Sequence, residues 1–385
     1  MPHCPICLFT ETPLSSSSCS LCDTPFDTPF DTPFEKPLDS PSISSVNSSI
    51  LSRNSSSNSL TSLLDYLPPP PSTLTLGSTP ISPYGIGTLP LSISYSSSGR
   101  PPRPSALQIL QHAFKLNVGY IDTGDSYHPG DDPGYMESCL GEVRTEGVGQ
   151  VIGTKGGMEL VGSKSTDWRL RKFREGEVRE CVEGSRRRLG VESLGVWSFH
   201  HCEGYGEEEF GRLVREAKEC KEEGLVENIG LCNVRLDQLE FARSIVEIAA
   251  VQNQWNLWNR EAEFEIDEEV GGKRKRKVGK RGVLRYCQEN GIVFFPYGMF
   301  GGVKARYAEG RPGKVSVHDF KTVVDMAEEK GVSPNQLVMA YVRQKWNCVC
   351  LIVGCRKKER IDELVKIRDG LVLFTEGEME VLDAI

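Results

Sequence analysis

The sequence predicts an α/β protein whose main body is a (β/α)8 TIM barrel, preceded by a disordered linker and a small Cys4 zinc-binding segment. Three observations predict it. From about Thr73 onward, short Val- and Ile-rich runs alternate with long charged segments of helical pattern, and such alternation builds a parallel sheet. Eight strand candidates fall within about 310 residues, a usual size for an eight-stranded barrel. The turn after the first of them, Gly85-Ile86-Gly87-Thr88-Leu89-Pro90, lacks a third glycine and sets Pro90 where a helix should begin. It is therefore a poor dinucleotide turn for an open, doubly wound sheet.

Residues 1–25 hold Cys4-Pro5-Ile6-Cys7 and, after eleven residues, Cys19-Ser20-Leu21-Cys22. Two Cys-x-x-Cys pairs so spaced can meet as a tetrahedral zinc site, and the alternative is a tail with free thiols. A segment this short has no core of its own, so metal would supply its folding energy. Residues 26–72 read as linker. Asp-Thr-Pro-Phe recurs three times from Asp23 to Phe34, Ser-rich sequence follows, and Pro68 to Pro71 closes the stretch. Such composition cannot bury enough apolar surface to offset chain entropy.

Residues 73–385 carry the barrel. The strand candidates are 84–88, 119–122, 151–154, 194–200, 228–231, 249–252, 292–296 and 349–353. Amphipathic stretches at 105–116, 175–189, 207–223 and 318–330 supply helices between them. The segment 271–281, Gly-Gly-Lys-Arg-Lys-Arg-Lys-Val-Gly-Lys-Arg, interrupts this order between the sixth and seventh strands. It reads as a nuclear import signal, a patch for an anionic partner, or a flexible solvated loop.

Charge and composition exclude several classes. With 45 Lys+Arg against 53 Asp+Glu the net charge is −8, which is wrong for a generally basic nucleic-acid binder. No apolar run reaches the roughly 18 residues that a membrane-spanning helix needs. The start, Met1-Pro2-His3-Cys4, has no basic residues leading into an apolar stretch, so no secretory leader is expected. Thirteen cysteines, an odd number and mostly scattered, fit reduced thiols in a cytoplasmic protein.

In a barrel, chemistry sits at the C-terminal ends of strands. The second candidate strand ends in Asp122 and leads to Tyr127, the third ends in Thr154-Lys155, and the fourth in Phe199-His200-His201. An ammonium beside a phenol eases release of the phenolic proton, a carboxylate holds the ammonium, and an imidazole N–H can orient a carbonyl oxygen. Strand alternation puts Val196, Ser198 and His200 on one face, favouring His200 over His201 for that role.

These motifs resemble those of the aldo-keto reductase family, over roughly residues 76–385. Asp122 and Tyr127 stand at that family's spacing, with Glu137 and Leu140-Gly141 following. Thr154-Lys155, Ser185 to Gly190, Ile229-Gly230-Leu231-Cys232-Asn233, Val251-Gln252-Asn253, Asn256-Leu257 and Asn259-Arg260 are similar to further motifs in the same order. The resemblance implies NADPH-dependent reduction of an aldehyde or ketone. Tyr127 would be the proton donor, Lys155 and Asp122 would tune it, and His200 would orient the carbonyl. Asn233 and Gln252 would hold the nicotinamide carboxamide beside Cys232, and Tyr297 would stack on the ring, followed by Gly298, Phe300 and Gly301. Gly354, Cys355, Arg356 and Arg360 would meet the adenosine phosphate and Glu363 the adenine. Cys232 departs from the usual Ser, Gly298-Met299 from Ser-Pro, Val353 from Pro and Leu364 from Asn. The other implied reading is a non-catalytic NADPH-binding regulatory or scaffold subunit. Such a protein would tolerate loss of Tyr127 or Lys155, and neither is lost. The cysteines Cys4, Cys7, Cys19 and Cys22 resemble the small fingers of nuclear-pore and ubiquitin-binding proteins, which implies a ubiquitin-like protein partner.

Overall fold

A computed structural model describes residues 66–93, 100–130, 132–144, 150–161, 168–270, 273–300, 317–370 and 372–385. The zinc-ligand candidates Cys4, Cys7, Cys19 and Cys22, most of the linker, and Gly301 lie outside the described residues.

The chain enters through a small antiparallel hairpin, β1 (Leu74–Leu76) and β2 (Thr79–Ile81). Eight parallel strands follow at the places the apolar runs predict: β3 (Tyr84–Gly87), β4 (Tyr120–Asp122), β5 (Val151–Gly156), β8 (Val196–Phe199), β9 (Ile229–Cys232), β10 (Ile248–Gln252), β13 (Val293–Phe294) and β14 (Leu351–Gly354). Two further hairpins are inserted among them: β6 (Met158–Leu160) with β7 (Trp168–Leu170), and β11 (Phe264–Val270) with β12 (Lys273–Arg281). The large sheet runs β13-β10-β9-β8-β5-β4-β3-β14. Its ends meet. Phe294 N donates to Cys348 O at 2.9 Å, and Cys350 N donates to Phe294 O at 2.9 Å, so β13 and β14 close the barrel.

Most barrel strands lead into a helix. These are α1 (Leu89–Ser92), α2 (Arg103–Lys115), α3 (Tyr135–Val143), α4 (Glu177–Leu189), α5 (Glu207–Glu222), α6 (Leu236–Ile245), α7 (Val283–Glu289), α8 (Val317–Glu329), α9 (Pro334–Lys345), α10 (Lys358–Asp369) and α11 (Glu376–Asp383). Local sequence explains their ends. Ser333 with Gln336 and Thr375 with Glu378 form capping boxes, each satisfying two otherwise unpaired donors. Helix α4 opens on Glu177 and Glu180 and ends on Arg186, Arg187 and Arg188, matching charge to the helix dipole.

Two apolar regions hold the barrel. The larger lies between strands and helices. The smaller fills the interior, with Tyr120 stacked on Phe295 at 4.2 Å and Val196, Ala250 and Ile352 around them. Leu74, Leu76 and Ile81 from the first hairpin join this inner group and plug the barrel. Gly153 is required there, because a Cβ on it would fall 1.6 Å from the Tyr120 hydroxyl. Strands buried on both faces explain why they read as continuous apolar runs.

Residues just before Thr73 run along the barrel. Leu67 N donates to Phe374 O at 2.9 Å and Arg343 donates to Pro71 O at 2.7 Å. Among the described residues no helix is long and apolar enough to cross a membrane.

Candidate active site

Three strand ends converge. Strand β4 stops at Asp122, and the chain turns back over β5: Thr123 N donates to Gly153 O at 2.8 Å and Asp125 N to Lys155 O at 3.0 Å. Tyr127 N closes the turn onto Gly124 O at 3.1 Å, which carries the phenol over the barrel mouth. Strand β5 supplies Lys155, only 2% exposed. Its Nζ donates to Asp122 Oδ1 at 2.5 Å and to Thr123 O at 2.7 Å, and lies 4.8 Å from the centre of the Tyr127 ring. A buried charge pair persists only where such bonds offset its desolvation. His200 follows β8 and is anchored by its N–H to Gly156 O at 2.9 Å. Its ring stands edge-on to Tyr127, 5.8 Å between centres, with Ser126 Oγ 3.4 Å from Nδ1. Burial holds the His200 imidazole well below its usual range, and the charges of Lys155 and His201 push the same way, so the ring is neutral near pH 7.

Asp122, Tyr127, Lys155 and His200 thus meet in one cluster. The nicotinamide candidates border it, engaged with one another. Gln252 Nε2 donates to Asp122 Oδ1 at 2.8 Å, and the Cys232 thiol, pushed up to about 12 by burial, donates to Gln252 Oε1. Asn233 adopts φ +50, donates to His200 O at 2.9 Å and accepts from the Tyr297 hydroxyl at 2.7 Å. Gly298 has φ +68, a left-handed conformation that favours glycine. Phe300 packs partly buried against the large apolar region.

The phosphate candidates stand where β14 passes into α10. Gly354 is exposed, and a Cβ there would come 3.0 Å from Pro90 Cγ at the start of α1, so its backbone is bare where β14 ends. Arg360 is half-buried and donates to Glu363 at 2.5 Å. Arg356, two residues before α10 begins, is also half-buried. The Cys355 thiol turns inward to Val353 O at 3.2 Å, and its main-chain N–H donates to Gly87 O at 3.4 Å. Leu364, where the resemblance places an adenine contact, is wholly buried in the core. Two guanidinium groups at a helix N-terminus with a glycine cradle fit a phosphate.

Some neighbours were not legible in the sequence. Trp168 of β7 stands edge-on to both Tyr127 (6.3 Å) and His200 (5.6 Å), walling the mouth. A buried polar group lies next to Lys155, and two of its members, Glu137 and Thr154, already stand in the sequence motifs. Glu137, fully buried, accepts from Thr154 Oγ1 at 2.5 Å and from Arg188 Nε at 2.6 Å. Asp125 accepts from the Cys181 thiol at 3.2 Å, and its other oxygen is buried without a hydrogen bond.

Burial first, then the Glu137 carboxylate, raise the Asp125 carboxyl to about 6, against the opposing pull of Cys181, Arg188 and Arg171. The folded state therefore disfavours the ionised form, and stability declines as pH rises from about 4 to about 6. Asp125→Asn is expected to melt above wild type at about pH 8 and to converge on it near pH 4. A gap independent of pH, measured by thermal denaturation, would contradict this.

The comparisons agree with the geometry. Residues 83–385 match the model of the aldo/keto reductase family. A protein from Schizosaccharomyces pombe named uncharacterized oxidoreductase C215.11c is 28% identical over 281 residues, covering 71% of this chain and 77% of that protein. Among solved structures, the glycerol dehydrogenase AKR11B4 from Gluconobacter oxydans superposes with a TM-score of 0.63 at 20% identity, over 81% of this chain and 94% of that one. The Bombyx mori aldo-keto reductase AKR2E4, solved in complex with NADP, gives 0.60 at 16% identity, over 83% and 93%. These structural likenesses speak to the fold. The family match spans most of the sequence, and the chain belongs to the aldo/keto reductase family.

Proposed function

We propose that this protein reduces an aldehyde or ketone to an alcohol with NADPH, and that Tyr127 is the proton donor. The observation that carries the assignment is the buried Asp122–Lys155 pair, with its ammonium directed beneath the Tyr127 ring. NADPH, when bound, supplies the hydride that forms the new C–H bond. Tyr127 gives its hydroxyl proton to the carbonyl oxygen, and the Lys155 charge stabilises the phenolate left behind. Asp122 fixes Lys155 in that position. His200, neutral and with Ser126 at Nδ1, has Nε2 for the carbonyl oxygen and orients it. Trp168 excludes water from one side.

Asn233, Gln252 and Tyr297 would hold the nicotinamide end, and Arg356 and Arg360 the adenosine phosphate. The ion pair with Glu363 pre-orients Arg360, so part of the ordering cost is met before binding. Arg360→Ala is expected to raise the NADPH Kd about tenfold and to leave NADH within about twofold. Fluorescence titration of both cofactors measures it, and an equal loss for both would remove phosphate recognition from Arg360.

The finer reading of the N-terminus is a zinc site formed by Cys4, Cys7, Cys19 and Cys22 on a linker ahead of the barrel, with a ubiquitin-like protein as its partner. It rests on the spacing of the cysteines and on the resemblance to small Cys4 fingers. Metal analysis of the full chain is expected to find one zinc that Cys4→Ser removes. No bound zinc in the wild type would refute it.

A further inference from the structure

The β11–β12 hairpin leaves the C-terminal end of the sixth barrel strand, the end that carries Tyr127 and His200. Its base is fixed. Gly282 N donates to Glu263 O at 3.1 Å, and a Cβ on Gly282 would fall 2.4 Å from Phe264 N, so only glycine permits the approach. Trp255 Nε1 in turn holds Glu263 at 2.8 Å.

Charge is sorted between the two strands. Strand β12, Lys-Arg-Lys-Arg-Lys-Val-Gly-Lys-Arg, carries seven cations. Strand β11, Phe-Glu-Ile-Asp-Glu-Glu-Val, carries four carboxylates. The ladder is antiparallel and sets Asp267 opposite Lys275 and Ile266 opposite Arg276. Seven against four leaves the hairpin at +3, while the remainder of the chain stands at −11 if the whole is −8. Among the described residues β12 pairs with β11 alone, so its second edge is unpaired.

We propose that the second edge of β12 docks an extended acidic segment of a partner protein, which adds to the ribbon as a third strand. Strand β11 shows the chemistry: an acidic, apolar-spaced strand already pairs with β12 on its other side. Main-chain bonds along a free edge give affinity, and opposed charges select an acidic sequence. Nucleic acid fits less well. Strand β12 has no aromatic residue to stack a base, and a long polyanion would also meet the acidic body.

The test uses the full-length protein and a fluorescein-labelled peptide of the β11 sequence, read by anisotropy. Saturable binding is expected to weaken about tenfold between about 50 and about 300 mM salt. The same peptide with its four acids replaced by amides should bind at least about tenfold more weakly. A triple variant, Arg274→Gln with Lys277→Gln and Lys280→Gln, should lose binding comparably while NADPH oxidation stays at the wild-type rate, which shows the barrel intact. Three outcomes would overturn the proposal: no saturable binding, equal binding of the amide peptide, or tighter binding of an oligo-dT of matched charge.

Discussion

Tyr127→Phe is expected to lower kcat by about 10²- to 10⁴-fold, the usual contribution of a positioned general acid, while NADPH binds as in wild type. The substitution removes one hydroxyl and keeps the ring. The ring's contacts with Lys155 at 4.8 Å and with His200 at 5.8 Å therefore survive, and the site keeps its shape. What disappears is the hydroxyl proposed to pass a proton to the carbonyl oxygen, with the Lys155 ammonium beside its ring. Neutral His200 can donate a hydrogen bond but is a poor proton source when its imidazole sits well below its usual range. The measurement is steady-state NADPH oxidation beside a fluorescence Kd. A kcat within about threefold of wild type would remove Tyr127 from the proton-donor role.

Glu137→Ala is expected to produce a large loss of stability. The carboxylate is fully buried and bonds both Thr154 and Arg188, tying α3 to β5 and to the end of α4. Truncation strands the Arg188 guanidinium and the Thr154 hydroxyl in a partly closed space. Breaking a buried pair from one side costs about 3–5 kcal/mol, and the lower end applies because Arg188 is 30% exposed. Relief of Asp125, which the Glu137 charge disfavours, offsets part of this. Urea denaturation is the check, with Glu137→Gln expected to retain part of the stability because it still accepts from Arg188. A midpoint unchanged by Glu137→Ala would show that the group is not structural.

The barrel was legible because its strands are buried on both faces. Val151, Ile152, Val196, Ile229 and Val251 form runs that no exposed loop would carry, and each run found its strand. The cluster of Asp122, Tyr127, Lys155 and His200 was legible for a related reason: parallel strands bring their C-terminal ends to one place whatever lies between. The inserted hairpins were harder. Strands β6 and β7 are three residues each, too short for alternation, so Trp168 gave no sign of facing Tyr127. The charged segment reads as an import signal, an anionic-partner patch or a solvated loop, none of them a strand since Lys is depleted in strands, yet 273–281 forms β12 through pairing with the acidic β11. Asp125 and Cys181 meet across 56 residues, a contact that only tertiary packing creates. At the cofactor end, Cys355 and Leu364 occupy the places the motif assigns, but their side chains serve the core instead.

Carbonyl reduction is tested most directly by titrating the full-length wild-type protein with NADPH by fluorescence and then adding a panel of aldehydes and ketones while following absorbance at about 340 nm. Saturable NADPH binding followed by carbonyl-dependent consumption of NADPH, abolished by Tyr127→Phe, is the expected result. Tight NADPH binding with no turnover on any carbonyl, or turnover that persists undiminished in Tyr127→Phe, would contradict it.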